Sequence, residues 1–350
     1  MADYNSAMPD AKKMITTLPA VTVIIPTFNE ESFIVECINS LVDGNYPLER
    51  MELLVVDGHS NDQTQKKVLD LAAEHGIIKL LQNPKRIVPA AVNVAIAAAT
   101  HDILVWVGAH AIYDADYLVN SVKVLVEEDC ASAGGIITPV GKSIVGKAIA
   151  AATASAFGVG KPKYRHADKR QAVDTVFGGC WRKENIVKIG GFNEQWVRNQ
   201  DYELNCRLRE LVGEIILDPG IRCQYYCRES IPALARQYYD YGYWRFRTFL
   251  KHPESFTTRQ AAPLLLFAGI LISPALSYFN PVLASLVPLT YGLALISVGA
   301  MLSVKHRQPL YAFLLPVIFA TLHLCWAVGF IKSGLQNLFT GFYATDKRHP

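Results

Sequence analysis

Glu30 and Asp57 mark where this 350-residue chain could do chemistry. Each stands just past an apolar run: Val21 to Ile25, closed by Pro26, and Leu53 to Val56. Between the runs, Phe33, Ile34, Cys37, Ile38 and Leu41 fall at helical spacing within residues 31–41, before the turn signals Asp43, Gly44 and Pro47. The segment therefore reads as strand, helix and strand, with acidic residues at the carboxyl ends of both strands. In an open parallel sheet those ends form the ligand crevice. Read locally, the same pattern is one more βαβ unit whose Asp57 caps the next helix.

The elements that position these residues follow in order. Residues 65–75 read as a helix stopped by Gly76, Ile77 to Leu81 as a third strand ending at Asn83-Pro84, residues 89–99 as an alanine-rich helix, and Ile103 to Val107 as a fourth strand. Such alternation predicts an α/β fold with a parallel, doubly wound sheet.

Pro26, Asn29 and Glu30 after the first strand, then Asp57, Gly58, Ser60, Asp62 and Thr64 after the second, resemble the nucleotide-sugar-binding start of family 2 glycosyltransferases of the GT-A fold. The family pattern is P-x-x-N-E followed by D-D-G-S-x-D-x-T. The resemblance makes Asp57 the group that holds the nucleobase and puts Glu30 near the ribose. A carboxylate can accept from an imide N–H or a ribose hydroxyl, and Gly58 lets the backbone approach the ligand. His59 sits inside the second motif, where the pattern does not demand a histidine, and reads as a solvated loop residue. Residues 83–93, NPKRIVPAAVN, resemble the ExoA-like, exopolysaccharide-synthesising subset of the family; Lys85 and Arg86 there read as solvent-facing or as phosphate contacts.

After the fourth strand the chain departs from its family. The usual D-x-D, which is D-A-H in that subset, reads Gly108-Ala109-His110. A magnesium or manganese ion bridging a diphosphate wants hard oxygen ligands, so losing a carboxylate weakens such a site and leaves His110 as the candidate ligand. Asp114-Ala115-Asp116 looks like a displaced D-x-D, but Tyr113 and Tyr117 around it mark the start of a helix that Asp114 would cap.

Further along, Gly179 and then Asn199-Gln200-Asp201 align with the family's acceptor-side region, where the pattern is usually E-D. The resemblance makes Asp201 the base of an inverting transfer, with Gln200 in place of the usual Glu. Locally, Asp201 also suits the N-cap of a helix from Tyr202 to Glu210. Residues 236–252, RQYYDYGYWRFRTFLKH, resemble the segment that carries Q-x-x-R-W in membrane-bound members, here Gln237 followed later by Trp244-Arg245. That resemblance assigns Arg245 to the diphosphate and Trp244 to the acceptor side. An interfacial belt of tyrosine, tryptophan and arginine is the alternative.

Charge divides the chain. From Ala261 on, five cations (Lys305, Arg307, Lys332, Lys347, Arg348) face Asp346 alone, a net of +4, which leaves −1 of the total +3 for the first 260 residues. Nothing in this balance suggests nucleic acid. Residues 261–279, 281–304 and 310–331 are uncharged apolar runs, each close to the ~20 residues that cross a bilayer. Lys305, His306 and Arg307 suggest a cytoplasmic loop, whereas three full crossings would put Lys347 and Arg348 outside; a re-entrant or interfacial segment would remove the conflict. Met1 to Leu18 has no apolar core of a signal peptide, so the catalytic domain is expected in the cytoplasm. Seven cysteines, odd in number and mostly inside apolar strings, read as free buried thiols, and Cys223 and Cys227 lack zinc-site spacing.

The expected organisation is a tail (1–19), a GT-A catalytic domain (20–230), an amphipathic interfacial segment (231–258) and a multi-pass membrane region (259–350). The expected activity is inverting transfer of a sugar from a nucleoside diphosphate, UDP by preference, to a polyprenyl-linked glycan acceptor in exopolysaccharide or cell-surface polysaccharide synthesis. The alternatives are a processive polysaccharide synthase and a non-catalytic assembly protein with a degenerate metal site.

Overall fold

The structure, a computed structural model, describes residues 18–160 and 162–340. Most of the N-terminal tail and the pair Lys347-Arg348 lie outside them. The chain forms two compact units, one of residues up to Thr138 with Lys163–Tyr225, the other of Pro139–Pro162 with the residues from Tyr226 on. Residues 139–162, which the sequence reading kept inside the catalytic span, thus belong to the second unit.

In the first unit, β1 (Val21–Thr27), β2 (Met51–Asp57), β3 (Ile78–Gln82) and β4 (Ile103–Trp106) lie side by side as β3-β2-β1-β4, all parallel. α1 (Ile34–Val42), α2 (Thr64–Glu74) and α3 (Val88–Ala98) connect them. Alternation along each strand splits the core: Val21, Val23, Ile25, Leu53, Val55 and Val105 pack on one face with α1, and Ile24, Leu54, Val56, Leu104 and Trp106 on the other with α3. Pro26 does not end β1. Its nitrogen lies on the β4 side, where pairing has stopped at Ile24–Trp106, so no ladder N–H is missed.

Beyond β4 the sheet is not parallel. After β5 (Ala111–Tyr113) and α4 (Tyr117–Glu127) come β6 (Ser132–Val140), α5 (Ile144–Ala154), α6 (Ala156–Val159), α7 (Lys163–His166), β7 (Gln171–Val173), β8 (Gly179–Arg182), α8 (Lys183–Lys188), α9 (Gln200–Leu211) and β9 (Ile215–Tyr226). β8 runs antiparallel to β4, and the order continues β8-β6-β9-β5 with β7 on β9. Beyond β4 the strands neighbour out of chain order, so the helices between them do not serve as crossovers between parallel neighbours. α4 begins after Asp116, which makes no side-chain cap, so the expected capping by Asp114 is not found.

At the opposite end of the sheet, Glu52 accepts from Lys79 Nζ (2.8 Å), Thr22 Oγ1 (2.9 Å) and the N and Oγ1 of Thr100 (3.1 and 3.0 Å). Burial opposes its ionisation, but Lys79 and these hydrogen bonds outweigh that and lower its pKa to about 2.

The second unit holds α10 (Ile231–Lys251), α11 (Thr258–Ser277), α12 (Pro281–His306) and α13 (Tyr311–Thr340). Ser230 caps α10 and Asn280 caps α12 through Val282 N and Leu283 N. α10 and α13 touch backbone to backbone: a Cβ on Gly242 would lie 1.9 Å from Trp326 O, and one on Gly329 2.0 Å from Tyr239 O. Tyr243, Trp244 and Arg245 are buried.

Two outcomes are expected. Because the folded pKa of Glu52 lies below its ordinary value of 4.5, its contribution is complete above that pH and is lost as the pH falls toward 2; acid unfolding of Glu52→Gln should be flatter across this window than that of the native chain. Gly242→Ala should destabilise the protein in detergent by about 1–3 kcal/mol through overpacking. Gly292→Ala on α12, where nothing lies within 4 Å of the added Cβ, is the thermal-melt control and should not destabilise.

Candidate active site

The loops after β1 and β2 are joined by side chains bonding to backbone. Asn29 N donates to Ser60 Oγ (2.8 Å) and Asn61 N to Asn29 Oδ1 (3.0 Å); Glu30 N donates to Thr64 Oγ1 (2.8 Å), Glu31 N to Asp62 Oδ2 (3.2 Å) and Gln63 N to Glu31 Oε2 (2.9 Å). Because these N–H groups are captured, α1 starts at Ile34 rather than at Glu31. Asp62 also accepts from Thr64 N and Oγ1; partial burial raises its pKa, but these bonds outweigh it and hold the carboxyl below its usual range. Asn29 and His59 adopt left-handed backbone (φ 55° and 57°). His59 occupies the position of the family's glycine, which adopts that conformation without strain.

Asp57 is fully buried at the end of β2. Its Oδ1 accepts from Ser60 Oγ (2.6 Å) and Thr27 Oγ1 (3.3 Å), and its Oδ2 from Ser60 N (2.8 Å) and Gln65 Nε2 (2.8 Å). With four donors satisfied inside the loop, this carboxylate shapes the crevice from behind. Gly58 beside it is buried, and an added Cβ would meet Phe28 Cδ2 and Thr27 O at 3.4 Å and Arg86 Cα at 3.5 Å. Arg86, itself left-handed (φ 56°), is exposed and makes no ion pair among the described residues. Lys85 faces solvent as expected, and there its Nζ pairs with Glu194 Oε2 at 2.5 Å.

Past β4, His110 Nδ1 lies 2.9 Å from Glu30 Oε1. The ring packs edge-on against Tyr225 (4.9 Å between centroids) and Phe33 (6.4 Å). Tyr225 in turn meets Phe177 (5.4 Å). Gly108 is clamped by Tyr113, whose hydroxyl accepts from Gly108 N (2.7 Å) and donates to Gly108 O (3.0 Å), and by the thiol of Cys37 on the same carbonyl (3.5 Å). Burial pushes the pKa values of Tyr113 and Cys37 up, so both remain protonated donors. A Cβ on Gly108 would lie 3.4 Å from Phe177 Cζ, ordinary contact distance. Space for a carboxylate stem exists where the carboxylate is missing.

A histidine that ligates a metal commonly donates its other ring N–H to a carboxylate, which is the relation Glu30 has to His110. One imidazole with one carboxylate behind it suits manganese better than magnesium, which prefers an all-oxygen shell.

On the acceptor side, α9 begins at Gln200, so Asp201 lies in its first turn rather than before it, with Asn199 (φ 55°) at the cap. Asp201 Oδ1 accepts from Tyr202 N (2.8 Å). α9 is anchored to the loop before β8 by Tyr202 Oη with Asp174 Oδ2 (3.4 Å) and by buried Asn205 Nδ2 with Thr175 Oγ1 (2.8 Å). That loop also carries Phe177, and Gly179 pairs with Trp106 at the end of β4. Gly190-Gly191-Phe192 is pinned to α3: Asn93 bonds both the N and the O of Phe192 (2.9 Å each) and Glu194 (3.1 Å). Lys85 and Asn93 hold the Glu194 carboxyl below its usual range, while buried Glu203 is paired bidentately with Arg207 (2.7 and 2.9 Å).

Pro26, Asn29, Glu30, Asp57, Gly58, Arg86, Gly108 and His110 thus gather around the carboxyl ends of β1 to β4. Trp244 and Arg245 belong to the second unit, where Arg245 Nη2 donates to Ser255 O and to Gln260 Oε1 (3.3 Å) at the corner between α10 and α11. Sequence reasoning missed Phe28, Tyr113, Phe177 and Tyr225. Phe28 fills an unspecified place in P-x-x-N-E and has only its exposure to signal it; Tyr225 reaches His110 through the pairing of Ala111 with Tyr225 across β5 and β9, which no local pattern announces.

Comparison with known proteins agrees with this geometry. The sequence pattern described as "Glycosyl transferase family 2" matches residues 22–189. The succinoglycan biosynthesis protein ExoA of Rhizobium meliloti (strain 1021) is 32% identical over 317 residues, 90% of this chain and 94% of that protein. A dolichyl N-acetyl-alpha-D-glucosaminyl phosphate 3-beta-D-2,3-diacetamido-2,3-dideoxy-beta-D-glucuronosyltransferase of Methanococcus voltae is 28% identical over 336 residues, covering 91% of this chain and 98% of its own. Among solved structures, a mannosyltransferase from Pyrobaculum calidifontis in complex with GDP-Man and Mn2+ shares the fold with a TM-score of 0.56 at 20% identity, covering 89% of this chain and 92% of that one. The sheet, the gathered motif residues and the full-length similarity lead to one conclusion: this chain is a member of family 2 of the glycosyltransferases, with the GT-A fold.

Proposed function

We propose that this glycosyltransferase moves a sugar, with inversion, from a nucleoside diphosphate, UDP by preference, to a lipid-linked glycan acceptor, and that its catalytic unit lies in the cytoplasm on a multi-pass membrane anchor. One observation carries the reading: Asp201, at the position where the family pattern is usually E-D, stands in the first turn of α9, which Asp174 and Thr175 tie to the loop that carries Phe177. The lipid-linked acceptor is supported by the dolichyl-phosphate substrate in the name of the Methanococcus voltae relative and by three apolar helices long enough to cross a membrane.

The donor lies along the loop pair after β1 and β2. Asp57 keeps that pair in shape, Gly58 admits the nucleotide to the backbone, and Asn29 and Glu30 line the ribose. Arg86 offsets diphosphate charge, with Arg245 as the second cation by resemblance. A divalent ion, manganese by preference, would be held by His110 Nε2, and when bound it supplies charge neutralisation at the leaving diphosphate. Asp201 accepts the proton of the acceptor hydroxyl as that oxygen attacks C1, Gly179 and Gln200 are assigned to the acceptor side, and Trp244 is added to them by resemblance alone.

Asp201→Asn should lower turnover by about 10²- to 10⁴-fold and leave nucleotide affinity nearly unchanged. Near-native turnover of that variant would overturn the assignment. Arg86→Ala should weaken donor binding without lowering the melting temperature, whereas Arg245→Ala should lower both, because its guanidinium also holds Ser255. Calorimetry of the donor with manganese or with chelator tests the metal: Gly108→Asp should increase the manganese-dependent gain in affinity and His110→Ala should abolish it. Equal affinity of the native chain in both solutions would mean that no metal is used.

A further inference from the structure

The three apolar helices are not equivalent. Among the described residues α11 buries none, and α12 buries only Ala284, Gly299, Leu302 and Ser303. α13 is covered along one whole face. Tyr311, Leu315, Ile318, Phe319 and Leu322 pack with Ala148, Ile149, Ala151 and Ala152 of α5, and His323 Nε2 is 2.9 Å from the Phe157 carbonyl of α6. Farther on, α10 takes over, through the Gly242–Trp326 and Tyr239–Gly329 backbone contacts and the edge-on pair Phe246–Phe330 at 5.1 Å.

α10 decides the depth of this assembly. It carries Arg236, Asp240, Arg245, Arg247 and Lys251 within 16 residues, and each charge is strongly unfavourable in the hydrocarbon core. α10 must therefore stay at headgroup level or above. α13, packed backbone to backbone along it, stays there too.

Contacts with the α11–α12 hairpin agree. A Cβ on Gly299 would touch Pro316 (2.9 Å), Tyr291 Oη reaches His323 Nδ1 (2.9 Å), and Phe256, just ahead of α11, meets Phe330 (6.0 Å between centroids). Pro316 and Phe330, ~21 Å apart along α13, both touch the base of the hairpin. Along the hairpin Leu265, Leu271, Ile272, Leu283, Leu286 and Leu289 are exposed.

From these contacts we infer that the bilayer is crossed twice, by α11 and α12, and that α13 lies along the headgroup region on the side of α10. Its exposed stripe of Phe313, Val317, Val328, Leu335 and Leu338 then meets the lipid surface. The 20 residues of α11 span ~30 Å, the thickness of a hydrocarbon core. No charge occurs between Arg259 and Lys305, and the turn between the two helices offers Tyr278 and Phe279, 89% and 82% exposed, to the far interface. Lys305, His306 and Arg307 then lie on the side of α10, as the positive-inside rule favours.

This inference rests on the membrane reading, which is checked first and separately: the full chain must sediment with membranes and require detergent. Tyr278→Cys and Leu338→Cys are then made in the full chain, with the native chain, whose cysteines are buried or half-buried, as the blank. Spheroplasts are treated with a membrane-impermeant maleimide before or after permeabilisation. Tyr278→Cys should react in intact spheroplasts and Leu338→Cys only after permeabilisation. Labelling of Leu338→Cys from outside, or failure of Tyr278→Cys to label from outside, would overturn the two-crossing arrangement.

Discussion

The hydrogen bonds that join the loops after β1 and β2 are the constraint on which the donor side depends. Parallel strands end with their carbonyls and next amides unpaired, and here the amides of Asn29, Glu30, Glu31, Ser60, Asn61, Gln63 and Thr64 are all taken by side chains of the same two loops. Asp57 anchors the arrangement because its buried charge is satisfied by four donors, and an unpaired carboxylate there would be very costly. The motif is thus first a device for rigidity. Glu30 is held where its side chain can orient His110.

Rigidity passes from the donor side to the acceptor side through one short segment. Asp174 and Thr175 hold α9, and Phe177, two residues on, packs over Gly108 and against Tyr225 beside His110. Asp201, in the first turn of α9, is therefore tied to the segment that packs over Gly108; in the proposed transfer that tie holds the base against the donor site.

The second unit depends on a different contact, the Gly242–Gly329 crossing. Two helices this close exclude side chains between them, so depth in the bilayer is a property of the pair. An apolar helix is thereby held by a charged one, and length and hydropathy no longer decide whether it crosses.

Much of this was legible in the residues themselves. Apolar runs with period two, helical spacing in between and carboxylates at the strand ends defined the βαβ start, because those signals are local and the parallel half of the sheet is built in chain order. Glu30, His110 and Asp201 were singled out by their places in short motifs, which are local in the same way. The antiparallel half, the ring of Tyr113, Phe177 and Tyr225, the capture of Lys85 by Glu194 and the burial of Trp244 and Arg245 all arise from pairings between residues far apart in the chain, which no window of sequence contains. The apolar runs likewise determined that three helices could enter a membrane, since that is a matter of composition; which of them can cross was decided only by the tertiary structure, because α13 shares its depth with the charges of α10.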